Sequence, residues 1–231
     1  MKPIVAVLFV VVGLISVQET KADVQPCCTA DQFEVGYGGN VGAAAFGQVT
    51  GIAVYFRGGF DFQGRRYGMD VYESGTVNQT FQLIQFFQKN TQYVILDSQC
   101  YKSEITTDEP NRCIPDAAKY DGSFYLGNSE LLVDNWKQDG KAAGLIGYVY
   151  STTSRSDCTP GGVSFMGEMD SPPGKTYIIS SGGYLNFTKG IPDPDRWFKV
   201  PSICNSTVKM IDPVMLPLGH WNLFQKIRPF V

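Results

Sequence analysis

The chain has 231 residues, a formal net charge of −3 and 18% charged side chains, while 13% of its residues are aromatic. This composition excludes a disordered chain, because the apolar and aromatic residues are numerous enough to build a large core. The acidity is mild and spread thinly along the sequence, so nucleic acid is excluded as an expected partner.

The N-terminus has the composition of a secretory signal peptide. Lys2 precedes an apolar run over residues 4–17, and the segment ends at Thr20, Lys21 and Ala22. The run of about fourteen residues is shorter than the roughly twenty that a membrane span requires, and no later segment competes with it. We therefore predict a signal peptide over residues 1–22, and a secreted, extracellular protein without a membrane span. A single domain is expected over residues 23–231, with an irregular tail from about residue 205.

Six cysteines lie beyond the predicted signal peptide, and an even number in an oxidising compartment indicates disulfide bonds. Fifteen pairings are possible for six cysteines, so their residue types alone leave the connectivity open. Three sequons agree with passage through the secretory pathway. The predicted disulfide cysteines are Cys27, Cys28, Cys100, Cys113, Cys158 and Cys204, and the predicted glycosylation sites are Asn78, Asn186 and Asn205.

In chain order, residues 27–51 come first, and we interpret this Gly- and Ala-rich stretch without clear periodicity as a lead-in tethered by cysteine. Residues 67–73 alternate between apolar and wetter positions, which predicts a half-exposed strand. Asp193 and Pro194 predict the cap and first turn of a short helix over residues 195–198. The other strands are predicted over residues 52–56, 81–87, 93–96, 124–126, 131–136, 145–150, 163–169 and 177–187.

Four of these strands have consecutive apolar or aromatic residues, so both of their faces would be covered. Such runs fit a strand inside a thick core, or a strand whose second face lines an apolar cavity. The residues alone leave both interpretations open. The four runs are residues 52–56, 81–87, 93–96 and 145–150.

No catalytic constellation is recognisable, and we predict a protein that is not an enzyme. The chain has one histidine, His220, in the irregular tail, and it lacks the Gly-x-Ser-x-Gly nucleophile motif. The adjacent Cys27 and Cys28 lack the spacing of a zinc site. Three pairs of neighbouring carboxylates could contribute oxygen ligands to calcium, although none of them matches an EF-hand loop. The alternative for each pair is two solvated surface carboxylates. These pairs are Asp108 with Glu109, Glu168 with Asp170, and Asp193 with Asp195.

A series of short segments resembles the ependymin family, and their order over about 180 residues makes the combination specific. Residues 93–102 resemble an apolar strand that leads into Asp and then Cys-x-Lys. Residues 114–117 resemble the Ile-Pro-x-x-Ala element, followed by an aromatic and a strand that ends in glycine. The remaining matches are the strand ending at Trp136, the Cys-x-Pro element at Cys158, and a closing motif over residues 190–194 with Phe198, Pro201 and Cys204.

The resemblance implies an all-β fold of two antiparallel sheets curved around an apolar pocket, similar to bacterial lipoprotein-carrier folds. It also implies extracellular calcium binding, contact with extracellular matrix, acyl-chain ligands and a homodimer. Carried over by position, one N-terminal cysteine pairs with Cys158, Cys100 pairs with Cys204, and the remaining N-terminal cysteine pairs with Cys113. Which of the adjacent Cys27 and Cys28 takes which partner stays open.

Two functions are expected from this reading. The first is binding of an apolar, lipid-like ligand, with the predicted wall residues Phe81, Leu83, Phe87, Tyr93, Ile95, Tyr148 and Tyr150. The alternative is a structural matrix or adhesion protein, for example in the organic matrix of a mineralised tissue such as shell. An apolar pocket of roughly 300 Å³ or more would favour the first function.

Overall fold

The computed structural model describes residues 24–75, 78–142, 145–171, 174–206 and 208–210. The predicted signal peptide and His220 lie outside these residues. Of the helices formed by the described residues, none is long and apolar enough to cross a membrane.

The described residues form twelve strands, two short helices and one 3₁₀ turn, which confirms the all-β prediction. In the sheet the strands follow the order β12-β6-β5-β4-β3-β2-β1-β11-β10-β9-β8-β7. Neighbours are antiparallel except for β12, which runs parallel to β6. The elements are β1 Gln32–Ala45, β2 Gln48–Asp61, β3 Arg66–Ser74, β4 Gln79–Phe86, the 3₁₀ turn Phe87–Lys89, β5 Thr91–Leu96, β6 Gln99–Ser103, β7 Lys119–Leu126, β8 Leu131–Ala142, β9 Leu145–Ser154, β10 Pro160–Ser171, β11 Gly174–Lys189, α1 Pro194–Phe198, α2 Ile203–Ser206 and β12 Val208–Met210.

One strand, β1, makes the sheet continuous where two sheets were expected. It pairs with β2 on one side from Gln32 to Ala45, and with β11 on the other from Phe33 to Ala44. Because β1 is paired along both of its edges, the strands on its β2 side and those on its β11 side belong to one hydrogen-bonded sheet.

The interpretation of residues 27–51 as a lead-in is wrong, since most of them belong to β1 and to the start of β2. In β1, the buried Phe33, Val35 and Tyr37 alternate with residues on the other face, several of which are glycines. Glycine gives no hydropathy signal, so the small residues hid the period of two.

The face of the sheet that carries Phe33 is the core face. Its side chains form one buried cluster with members from β1–β5 and from β9–β11. Because strands of this one sheet supply nearly all of the cluster, the sheet curves so that its two halves pack against each other through this face. The fully buried members include Phe33, Phe56, Phe60, Tyr67, Met69 and Leu83.

The opposite face, called here the second face, is covered by helices over only one half of the sheet. Helix α1 contacts β2, β3 and β4, and α2 contacts β6. The Asp193 side chain accepts a hydrogen bond from the Arg196 amide at 3.3 Å, so the predicted cap and helix are confirmed. The indole of the buried Trp197 lies against Gly59 and its backbone carbonyl lies against Gly68, at positions where the sheet has no side chain in the way.

Three disulfides link segments that are distant in the sequence, in agreement with the pairing that the resemblance implies. Cys27 pairs with Cys158, Cys28 with Cys113, and Cys100 with Cys204. The first two disulfides hold the N-terminal segment and the Cys113 loop beside a small second cluster around Ile114 and Trp136. The third ties α2 to β6 on the second face.

Replacing Gly68 with alanine tests the packing of α1. The added Cβ would overlap the backbone carbonyl of Trp197, so the helix must shift. We expect Gly68→Ala to lower the free energy of unfolding by about 1–3 kcal/mol. Gly51→Ala is the control, because its Cβ would meet nothing closer than 3.8 Å. Urea unfolding of the disulfide-intact proteins measures both, and equal midpoints for the two variants would contradict the packing.

A second prediction concerns Asp157, in the turn that carries Cys158. A hydrogen bond from Ser154 lowers the pKa of this carboxyl below its usual 3.8, and Lys189 and Thr159 lower it further. The pKa is depressed by folding, so the charged form stabilises the protein above pH 3.8 and this stabilisation is lost as the pH falls below it.

Asp157→Asn should therefore be less stable than wild type at about pH 7, with the gap narrowing towards about pH 3. Urea unfolding across this range checks the prediction. The exposed Asp116→Asn controls for the loss of any surface carboxylate. A gap that stays constant with pH would count against the ionised Asp157 as a stabilising group.

Candidate ligand-binding pocket

The second face is open and apolar over β8–β11 and β1, where no described segment covers it. Large apolar side chains are unusually exposed there, with Tyr177 at 59%, Ile179 at 57% and Ile146 at 55%. Contiguous exposed apolar surface of this kind marks interaction sites in soluble proteins. The other exposed members of this face are Val49, Tyr55, Tyr72, Tyr148, Met166 and Leu185.

Strand register places these side chains in rows that cross the sheet, because residues paired on neighbouring strands share a face. One row is apolar apart from the carboxylate at its end, and it runs through Asp139, Tyr148, Met166, Ile179, Gly42 and Gly51. The next row towards the hairpin tips runs through Ile146, Glu168, Tyr177, Ala44 and Val49.

Apart from Gly51, the residues of these two rows line an apolar pocket of about 740 Å³. This volume lies in the range of small-molecule sites and exceeds the roughly 300 Å³ that favours ligand binding. A shallower concavity of about 580 Å³ adjoins it and shares Gly42, Val49 and Ile179 with it. A third, of about 190 Å³, shares Ser181 with the second.

The pocket exists because small and large residues are divided between strands. On β1 and β2 the second face carries Gly42, Ala44 and Gly51, which leave space above the backbone. The facing positions on β9–β11 carry aromatic and branched side chains that form the wall. A Cβ on Gly42 would already touch Ile179 at 3.4 Å, so a larger residue there would fill the pocket.

Charged groups stand at the edges of the pocket. Lys175 forms an ion pair with Glu168. The ammonium of Lys137 lies 4.2 Å from the ring centre of Tyr148 and 5.5 Å from that of Tyr150. A hydrogen bond with Tyr150 is the main cause that raises the pKa of Lys137 above its usual value. The carboxylate residues Asp139 and Glu168 also belong to the lining of the otherwise apolar pocket.

The structure brings two of the seven sequence-predicted wall residues to this region. Tyr148 lines the apolar pocket, and Tyr150 lines the adjoining 190 Å³ concavity. Phe81 and Leu83 lie instead on the core face, at 2% and 0% exposure, and the 3₁₀ turn residue Phe87 packs against the same core. These three side chains fill the interior rather than line the pocket.

Tyr93 and Ile95 share the second face with the pocket but lie on β5, on the half of the sheet that the helices cover. Tyr93 contacts Phe86, with 6.3 Å between ring centres, and the Lys102 ammonium lies 5.8 Å from its ring. Both residues are half-buried. The two-faced apolar runs therefore have different causes: a helix-covered second face for β4 and β5, and an open pocket for β9.

Sequence reasoning missed most of the wall. Val49, Met166, Tyr177 and Ile179 line the pocket without having been singled out. The signal that was present is the run Tyr177, Ile178 and Ile179, whose consecutive apolar residues cover both faces of β11. The contribution of Val49 had no signal, because it follows from the pairing of β2 with β1.

The acidic pairs considered for calcium each have a carboxylate engaged by the protein. Glu109 accepts hydrogen bonds from Arg65 and Tyr67, Glu168 pairs with Lys175, and Asp193 caps α1. Within the described parts of the chain, no three His, Cys, Asp or Glu side chains group together as a metal site would require.

All three sequon asparagines, Asn78, Asn186 and Asn205, are exposed. Asn186 has a positive φ of 53° and lies where the pairing of β1 with β11 shifts register. Because Asn186 is exposed, its side chain is accessible for glycosylation.

The neighbours Ile178 and Ile179 test the assignment of the two faces. Ile178 is 3% exposed on the core face, whereas Ile179 is 57% exposed in the pocket. We expect Ile178→Ala to lower the free energy of unfolding by about 2–5 kcal/mol, and Ile179→Ala to change it by about 0.5 kcal/mol or less. Thermal or urea unfolding measures the pair, and similar losses for both variants would contradict an open pocket.

Comparison with known proteins agrees with the order of motifs in the sequence. The chain is 29% identical over 171 residues to the development-specific protein LVN1.2 of Lytechinus variegatus, covering 68% of this chain and 88% of that protein. The solved structure of a DUF1329 family protein from Desulfovibrio piger aligns with a TM-score of 0.36 at 9% identity, over 76% of this chain and 92% of that chain. The Ependymin family model matches residues 76–204. Because this match spans more than half of the sequence, the chain belongs to the ependymin family.

Proposed function

We propose that this chain is a secreted glycoprotein that binds an apolar, lipid-like ligand in the extracellular space. The observation that carries the proposal is the 740 Å³ apolar pocket on the open half of the second face. Its large apolar wall side chains are 47% to 81% exposed, although most of the sheet is well packed.

Binding would remove this apolar surface from water. Burial of apolar area contributes roughly 25 cal/mol per Å² before the costs of association are subtracted. The pocket is formed by strands that are hydrogen-bonded on both sides, so little reorganisation is required when a ligand enters. A flexible acyl chain suits the site, since the rows from β9 to β2 span four strand spacings of about 4.8 Å each.

Secretion and glycosylation are supported by independent features of the chain. Three disulfides fit an oxidising compartment, and the exposed sequons fit passage through the secretory pathway. The apolar segment over residues 4–17 supplies the expected signal for export.

The matrix or adhesion function draws less support from the described residues. It relies on acidic loops that are free to bind calcium or mineral, and the acidic pairs have carboxylates already engaged by arginine, tyrosine, lysine or a helix terminus. The apolar pocket has no role in that function.

Charges placed in the wall should abolish ligand binding. We expect the double variant Met166→Glu, Ile179→Glu to weaken binding of a fluorescent fatty acid by at least about tenfold, because a bound chain would desolvate two carboxylates. Leu185→Glu is the matched control, since Leu185 is exposed on the same face but outside the pocket lining.

Fluorescence titration of the deglycosylated proteins measures the affinities, and native mass spectrometry after incubation with a lipid extract detects bound species. Wild type and the Leu185 variant should bind alike. No uptake by wild type, or equal loss in both variants, would overturn the proposal.

A further inference from the structure

The row next to the apolar pocket, on the side away from the hairpin tips, is polar. Register pairs its members in an unbroken line across six strands, through Lys119, Lys137, Tyr150, Ser164, Ser181 and Asn40. Successive rows on one face are two residues, or about 7 Å, apart along each strand. Hydrogen-bonding groups therefore adjoin the apolar surface that Tyr148, Met166 and Ile179 provide.

Two lysines lie directly opposite each other at the end of this row. Lys119 is paired with Lys137 in the register of β7 with β8, and like charges at opposite positions destabilise a sheet. Neither lysine forms an ion pair with a carboxylate in the part of the chain that the structure describes. An anion bound beside Lys137 would relieve this repulsion.

Lys137 is directed towards the pocket rather than towards the nearby carboxylates. Its ammonium rests on the rings of Tyr148 and Tyr150, on the neighbouring strand β9. Two carboxylates lie near it: Asp121, which accepts a hydrogen bond from Asn135 at 3.1 Å, and Asp139 at the end of the apolar row. The cation is thus placed where the polar and apolar rows meet.

Neutral donors continue the polar row. Ser164 and Ser181 line the 190 Å³ concavity together with Tyr150. Within the described residues, the hydroxyls of these two serines have no side-chain hydrogen-bond partner. Two hydroxyls therefore line a concavity beside the ring of Tyr150, and the Lys137 ammonium lies over that same ring.

We infer that the ligand is an anionic amphiphile, whose carboxylate, phosphate or sulfate head is bound between Lys137 and Ser164, with Ser181 one strand further along the polar row, while its chain lies in the apolar pocket. This inference rests on the proposed function and adds the charge of the head group. Ammonium and hydroxyl donors complement an oxyanion, and hydrogen bonds to a charged acceptor are the stronger kind. An ammonium head group would instead meet the charge of Lys137.

Amphiphiles that share one chain test the inference. Myristate, myristyl sulfate, myristyl alcohol and myristyltrimethylammonium differ only in the head group and are titrated below their micelle concentrations. We expect the two anions to bind wild type at least about tenfold more tightly than the alcohol or the cation, with a preference that weakens as salt is added.

The variant Lys137→Met keeps the apolar stem and removes the charge. It should lose most of the preference for anions while binding the alcohol as wild type does. Lys102→Met is the matched control, since Lys102 also rests over a tyrosine of the second face but lies on β6. This control should retain the preference.

The outcomes separate the two claims. Equal binding of all four amphiphiles, or tighter binding of the cation, overturns the anionic head group but leaves an apolar pocket that binds chains. Binding of none of them overturns the proposed function itself. An anion preference that survives in Lys137→Met overturns the role of Lys137.

Discussion

The structure depends on the pairing of β1 along both of its edges. Because β2 and β11 are hydrogen-bonded to the same strand, all twelve strands belong to one sheet with two faces. Successive side chains along a strand point to alternate faces of this sheet. On the core face, side chains from the two halves of the sheet pack against each other and exclude water. The second face then requires other covering, and the chain supplies it over only one half of the sheet.

The uncovered half follows from the positions of the helices. Trp197 is seated over Gly59 and Gly68, and the disulfide between Cys100 and Cys204 ties α2 to β6, so the covering segment is held at the β2–β6 side. The indole also donates a hydrogen bond to Glu34 at 2.9 Å. The described helices therefore leave β8–β11 open, where apolar side chains gather around a floor of glycine and alanine.

Local signals in the sequence predicted much of this fold. Alternation and apolar runs located most of the strands after residue 51, although β6 and β12 were not predicted. Asp193 with Pro194 located α1. These signals depend on neighbours in sequence. The disulfides agree with what the family resemblance implied. The strand β1 was missed, since its glycines carry no hydropathy signal although they create the space above the sheet.

The pocket was harder to predict than the fold, because it depends on pairing between distant strands. A run of consecutive apolar residues in a strand indicates that both faces of the strand are kept from water. It does not indicate which part of the molecule covers each face. For Leu83 the answer is the core, for Tyr93 a half of the sheet capped by helices, and for Tyr148 an open pocket. Only the register between β2, β1 and β11 brings Val49 into the same pocket as Tyr177.

Photo-crosslinking with a diazirine-bearing fatty acid, followed by peptide mapping, shows which face of the sheet holds the acyl chain. If the acyl chain lies in the apolar pocket, adducts form on β9–β11 at residues 146–148, 166–168 and 177–179, and competing unlabelled fatty acid removes them. Adducts concentrated on residues 81–87 and 93–95, or no adducts that a competitor removes, would contradict this placement of the chain.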